Sequence, residues 1–193
     1  IVNMLTVLIL FFSLAVLVWI SIQFTYALYF VHDGYVVTQI HNLSSTPLIA
    51  KQIAATEKGN VYVVWVDRNN IYFSTSNNSG AKFGQQIILS NNQSSLSSSP
   101  QIAATEKGDV YVVWVDRNNI YLSSSNNSGA KFGQQVLLSN NKTSSSSSPQ
   151  IVATEKGDVY VVWVDKDNIY FSSSNNSGAN FGQQVLLSNN KTS

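Results

Sequence analysis

A stretch of 49 residues occurs three times in this chain, and that repetition constrains the fold more than any other feature. The second copy runs from Gln101 to Pro149 and reads QIAATEKGDVYVVWVDRNNIYLSSSNNSGAKFGQQVLLSNNKTSSSSSP. With a few substitutions the same text runs from Gln52 to Pro100 and again from Gln150 to Ser193, and Trp65, Trp114 and Trp163 mark the period. Self-similarity at this spacing means one supersecondary unit that buries its apolar faces against neighbouring copies of itself. The copies are so alike that recent duplication accounts for much of their identity, so sameness among them is not read as functional constraint.

Four strand signals follow one another within a repeat. Gln101–Thr105 is the first, and a turn over Glu106–Asp109 contains a Gly-Asp pair. Val110–Asp116, VYVVWVD, is dense in β-branched and aromatic residues and is the strongest strand in the chain. Its apolar residues do not alternate with polar ones, which predicts cover on both faces. Arg117, Asn118 and Asn119 turn the chain, Ile120–Ser124 alternates as a third strand, and Gln134–Ser139 forms the fourth. The serine run Ser144–Ser148 is read as a connection between units, ended by Pro149. The expected fold is therefore all-β, with three four-stranded blades at 52–100, 101–149 and 150–193.

No charged side chain occurs from Ile1 to Val31. That apolar run exceeds the roughly 20 residues a helix needs to cross a bilayer. The expectation is an N-terminal hydrophobic membrane helix over 1–31. A cleaved signal peptide is the rival, because Thr25 and Ala27 form an A-x-A-like arrangement, although a signal's apolar region usually spans about 7–15 residues. A buried core helix is a weaker third reading. Both membrane readings put the repeats outside the cytoplasm, anchored or secreted. Residues 32–51 read either as a linker or as a lone outer strand at Tyr35–Ile40, because GYVVTQIHNLSSTPLIA echoes the end of a repeat.

Composition excludes several kinds of chemistry. There is no cysteine, hence no disulfide framework and no thiolate metal site. The formal net charge is +1 and the basic residues are spread along the repeats, which argues against a nucleic-acid partner. His32 and His41 lack metal-ligand spacing, and no cofactor or metal site is expected. Asp67, Asp116 and Asp165 end the strongest strand of each repeat. A ring of them has the chemistry to hold a cation, but turn-capping is the commoner role of a strand-end aspartate. Seven N-x-[ST] tripeptides occur, at Asn42, Asn77, Asn92, Asn126, Asn141, Asn175 and Asn190. Asn92, Asn141 and Asn190, beside the serine-rich connections, are the better glycosylation candidates, though an Asn/Ser-rich repeat generates such tripeptides by composition alone.

The loop between the third and fourth strands carries a more specific signal. Ser76-Asn77-Asn78-Ser79-Gly80-Ala81-Lys82-Phe83 fits the spacing S-x-D-x-G-x-T-W, and Ser125–Phe132 and Ser174–Phe181 repeat it. This resembles the Asp-box of the bacterial-neuraminidase repeats in sialidase-like β-propellers. The box residues are Ser76, Asn78, Gly80 and Phe83, then Ser125, Asn127, Gly129 and Phe132, then Ser174, Asn176, Gly178 and Phe181. Asn stands where Asp is usual, Phe replaces Trp, and Lys82, Lys131 and Asn180 replace Thr. The Asn side chain is suited to an Asx turn, closing on the N–H two residues on, and the Gly to a positive φ. The Phe is expected to bury itself in its own blade.

In that family the box is structural and lies away from the catalytic funnel, so the resemblance implies a propeller fold and not an activity. A working sialidase would also need three converging arginines. This chain has two, Arg68 and Arg117, at equivalent positions of successive repeats, with Lys166 in the third. Tyr62, Tyr111 and Tyr160 fall in the strongest strand and Glu57, Glu106 and Glu155 in a turn, so a tyrosine–glutamate pair is hard to assemble. No catalytic residue is assigned. The sequence reads as a non-catalytic, surface-displayed or secreted interaction or scaffold module for a glycan or protein ligand. The alternatives are a fragment of a sialidase-like glycoside hydrolase and a structural cell-envelope component. Closed propellers have about 4–8 blades. Three blades therefore predict self-association or additional blades.

Overall fold

The computed structural model describes residues 51–90, 96–139 and 145–188. The expected membrane segment at 1–31, the lone strand at Tyr35–Ile40 and both histidines lie outside them. Among the described residues no helix is long and apolar enough to cross a membrane.

Three four-stranded antiparallel sheets make up the fold, each a meander of consecutive strands. Blade 1 contains β1 (Lys51–Ala55), β2 (Val61–Asp67), β3 (Asn70–Ser76) and β4 (Ile87–Ile88). Blade 2 contains β5 (Ser97–Ala104), β6 (Val110–Asp116), β7 (Asn119–Ser125) and β8 (Val136–Leu137). Blade 3 contains β9 (Ser146–Ala153), β10 (Val159–Asp165), β11 (Asn168–Ser174) and β12 (Val185–Leu186).

The hairpin after VYVVWVD is a two-residue turn with both central residues at positive φ. These are Arg68 and Asn69 (47° and 63°), Arg117 and Asn118 (48° and 65°), and Lys166 and Asp167 (48° and 67°). Two left-handed residues give a turn whose twist matches that of the flanking strands, which sets the register Asp67↔Asn70, Asp116↔Asn119 and Asp165↔Asn168.

The third strand takes in Asn119 and Ser125 beside the expected Ile120–Ser124, and the first and fourth strands differ more from the sequence expectation. The first strand begins at Ser97 and Ser146, so the end of the serine run is strand rather than connection. Asp116 and Asp165 draw it in: their Oδ1 atoms accept the backbone N–H groups of Leu96 (3.1 Å) and Ser145 (2.9 Å). The aspartates therefore cap the start of their own blade's first strand. Pro100 and Pro149 lie inside these strands, where the ladder register shifts and Ser99 and Ser148 take φ of 50° and 51°. A bulge tolerates the missing proline N–H. The fourth strand, expected over Gln134–Ser139, shrinks to Val136–Leu137. Beyond it Leu138 N–H still reaches the Ile120 carbonyl, but the Ser139 hydroxyl replaces a backbone acceptor for Ile120 N–H (2.9 Å).

Each sheet has two apolar faces, named here after the aromatic residue its second strand contributes. The Tyr face of blade 1 carries Tyr62, Val64, Val66, Ile71 and Phe73, and it packs on the Trp face of blade 2, which carries Val110, Val112 and Trp114. The Tyr face of blade 2, with Tyr111, Val113, Ile120 and Leu122, packs in the same way on Val159, Val161 and Trp163 of blade 3. One amino-acid string thus has three burial patterns. VYVVWVD is buried at every position in β6, whereas in β2 and β10 one face is covered and the other more open. Cover on both faces holds for the middle blade alone. Trp114 and Trp163 are core residues at 0% and 1% exposure, and Trp65 is only half-buried.

Candidate functional site

The eight-residue loops after β3, β7 and β11 are the sequence-predicted sites, and they close on themselves in the same way each time. In blade 2 the Ser125 hydroxyl donates to Asn127 Oδ1 (2.7 Å) and accepts from the Gly129 backbone N–H (3.1 Å). Asn127 Oδ1 then accepts from Lys131 N–H (3.0 Å). Ser76, Asn78, Gly80 and Lys82 repeat the pattern, as do Ser174, Asn176, Gly178 and Asn180. The Asn side chain therefore spans four residues rather than the two of an Asx turn. It needs only an acceptor oxygen there, which explains why Asn serves in place of Asp.

The loop glycine and phenylalanine join blades. Gly129 takes φ +78°, and a Cβ built on it would lie 2.5 Å from Phe73 Cε1 and closer still to Cζ. Gly178 (φ +73°) faces Tyr111 and Leu122 of blade 2. Phe132 meets Phe73 edge-on, with ring centroids 4.9 Å apart. Phe83, Phe132 and Phe181 are half-buried; Phe132 and Phe181 pack against the cluster shared with the preceding blade rather than being buried in their own.

Sequence reasoning missed a polar ladder on the same junctions. Glu106 Oε1 accepts from Glu57 N–H (2.6 Å), and Glu155 Oε1 accepts from Glu106 N–H (2.9 Å). Lys58 Nζ donates to the Glu106 carbonyl (3.1 Å), and Lys107 Nζ to that of Glu155 (2.6 Å). Gln135 and Gln184 send their amides back to the Leu89 (2.9 Å) and Leu138 (2.8 Å) carbonyls of the preceding blade. Every partner pair is separated by 46, 48 or 49 residues, close to the repeat period, and that coincidence was the available signal.

Beside each loop a cleft opens. That between blades 2 and 3 has a volume of about 430 Å³ and is lined by Tyr111, Asn127, Lys131, Phe132, Asn176 and Ser177 among others. Its counterpart between blades 1 and 2, about 360 Å³, includes Asn78, Lys82, Phe83 and Asn127. The lining of each cleft combines a phenylalanine ring with amides and an ammonium. Burial pushes the Tyr111 phenol above its ordinary value of 10.0; Ser177 partly offsets the rise and the Asp109 charge adds to it. The Tyr111 hydroxyl oxygen itself is buried without a hydrogen-bond partner of regular geometry among the described residues.

The remaining sequence candidates do not converge. Arg68 and Arg117 sit at exposed hairpin tips of separate blades. Among the described residues no group of three His, Cys, Asp or Glu has metal-binding geometry. Asn92, Asn141 and Asn190 lie outside the described residues; Asn77, Asn126 and Asn175 are exposed in the loops.

No family model matches this chain, and no curated protein matches its sequence. Solved structures do align with it. A protein of unknown function from Dyadobacter fermentans aligns at 12% identity with a TM-score of 0.56, over 74% of this chain and 52% of that one. A variant of the NanB sialidase from Streptococcus pneumoniae aligns at 10% identity with a TM-score of 0.50, over 70% of this chain and 23% of that one. An endo-arabinase from Bacteroides thetaiotaomicron aligns at 12% identity with a TM-score of 0.47, over 75% and 63%. The chain thus spans about half the length of the first and a quarter of the second. At such identities the likeness is one of fold: three all-β, propeller-like sheets similar to part of a sialidase.

Proposed function

We propose that this chain is a non-catalytic interaction module built from β-propeller repeats, with Asp-boxes in the sense of the sialidase-like family as its blade-joining loops. The observation that carries the reading is the employment of the acidic side chains. Asp116, Asp165, Glu106 and Glu155 each accept a backbone N–H that fixes a strand or joins two blades. Acid–base catalysis needs two carboxyl groups in contrasting environments. Here Asp116 and Asp165 repeat one strand-capping role, and Glu106 and Glu155 repeat one blade-joining role. The clefts beside the loops repeat as well, which suits weak, multivalent contact with a glycan or protein surface.

A second reading, a piece of a sialidase-like glycoside hydrolase, draws on the fold likeness to NanB. Turnover of a fluorogenic sialoside by the purified chain separates the two. No turnover is expected, because Arg68 and Arg117 stand on different hairpin tips. Turnover abolished by Arg117→Ala would establish the hydrolase instead.

The uncharged run Ile1–Val31 supports display outside the cytoplasm, by anchoring or secretion. Protease added to intact cells is expected to digest displayed repeats, and repeats of a secreted form are expected in the medium. A protein found wholly inside the cell and fully protected contradicts this part of the proposal.

A further inference from the structure

We infer that the exposed Tyr face of blade 3 docks on the Trp face of blade 1, which no other described blade covers, in a second copy of this chain. The contact is head to tail and repeats the junction that the chain already makes twice within itself. It gives the interaction module a specific partner, itself.

The ends differ from the middle in what covers them. Tyr160 is 39% exposed where its equivalents Tyr62 and Tyr111 are fully buried, and Ile169 is 44% exposed where Ile71 and Ile120 are fully buried. Leu187 is 58% exposed against 8% for Leu89 and 5% for Leu138. At the other end Ile53 is 66% exposed and Trp65 is half-buried. Apolar side chains grouped in this way mark a contact surface.

The two ends are the two halves of one known interface. Blade 3 presents Tyr160, Val162, Val164, Ile169 and Phe171, the counterparts of the residues that blade 1 gives to the first internal junction. Blade 1 presents Val61, Val63, Trp65 and Phe83, the counterparts of what blade 2 receives with. Polar groups match too. By the internal pattern the Glu57 carboxylate accepts Glu155 N–H, the Lys156 ammonium reaches the Glu57 carbonyl, and the Gln86 amide reaches the Leu187 carbonyl. Gly80 would lie on Phe171 as Gly129 lies on Phe73. A second copy therefore offers both the shape and the donors for these acceptors. The described blades number six in two copies, within the range of about 4–8 that closes a propeller, and a head-to-tail contact of this kind forms a ring when its rotation closes.

The chain contains no cysteine, so single cysteines report position without background. Full-length Glu57→Cys and Lys156→Cys variants are mixed and treated with a short bis-maleimide. A covalent dimer is expected from the mixture, and none from either variant alone. A dimer from a single variant would mean face-to-face pairing, and no dimer from the mixture would mean the ends do not meet. Either result overturns the inference. Gly80→Ala provides the second arm, since a Cβ there has nothing within 4 Å in the single chain but would strike Phe171 on docking. Light scattering is expected to show the unmodified protein at about twice 21.2 kDa and Gly80→Ala at half that mass with its β-sheet circular dichroism intact. Tyr160→Lys, at the opposite end, is expected to give the same loss. A dimer that survives both substitutions, or an unmodified chain that is monomeric throughout, overturns the proposed contact.

Discussion

Trp114→Ala is expected to cost roughly 3–5 kcal/mol, enough to threaten the folded state of a domain of this size. The indole is completely buried between blades 1 and 2 and stacks on Tyr121 at 6.3 Å, so its removal leaves a cavity walled by two sheets that cannot easily collapse. Trp65→Ala removes the same side chain from the same strand sequence, and Trp65 also stacks on its neighbour, Tyr72, at 5.8 Å. No further blade among the described residues packs on that face, so the loss in a dilute sample is expected to be about half as large or less. Chemical denaturation of the two variants checks the ordering. Equal losses would mean that the Trp face of blade 1 is covered as fully as that of blade 2.

The second large effect concerns a single methyl group. Gly129→Ala places a Cβ against the Phe73 ring and forces alanine into φ +78°. The left-handed conformation alone costs about 1–2 kcal/mol, and overpacking a filled junction adds about 1–3 kcal/mol. Phe73 has little room to yield, because it is 1% exposed and held between Tyr62 and Phe132. Gly80 has nearly the same φ, +82°, and nothing within 4 Å. Gly80→Ala is therefore expected to show only the conformational cost in the single chain. Gly178→Ala falls between them, since its nearest neighbours in blade 2 are Tyr111 at 3.4 Å and Leu122 at 3.5 Å. Phe73→Leu should relieve Gly129→Ala, because it restores the pairing that blade 3 already has with blade 2. Equal melting temperatures for the Gly80 and Gly129 variants would remove the loop glycines from the blade junction.

Much of this architecture is legible in the letters. The 49-residue period gives the number of units, and VYVVWVD, bounded by a Gly-Asp or Gly-Asn turn before it and an Arg-Asn or Lys-Asp turn after it, gives the strand that each unit is built on. The Ser-x-Asn-x-Gly spacing can be read from the letters because its hydrogen bonds are local to the loop. What could not be read depends on neighbours. Ser97 and Ser146 carry no strand signal, yet they join the sheet because the N–H just before each strand is held by an aspartate 20 residues on. Identical strings in β2, β6 and β10 have different burial because only their position in the stack differs. The roles of Glu106, Glu155, Gln135 and Gln184 were missed for a related reason. A residue in an exposed turn looks solvated until the next blade is placed beside it. The chemistry at the clefts was least legible, since aromatic and amide residues are common in structural loops as well as in binding sites.

The fold rests on one arrangement, the Trp face of each following blade stacked on the Tyr face of the blade before it. Its most direct test is the proton NMR signal of Gly129 Hα in the full chain. With the glycine against the edge of the Phe73 ring, a downfield ring-current shift and strong cross-relaxation with the Phe73 ring protons are expected, both lost in Phe73→Leu. A Gly129 Hα signal at an ordinary shift, with no through-space contact to Phe73, would contradict the stacking of the blades.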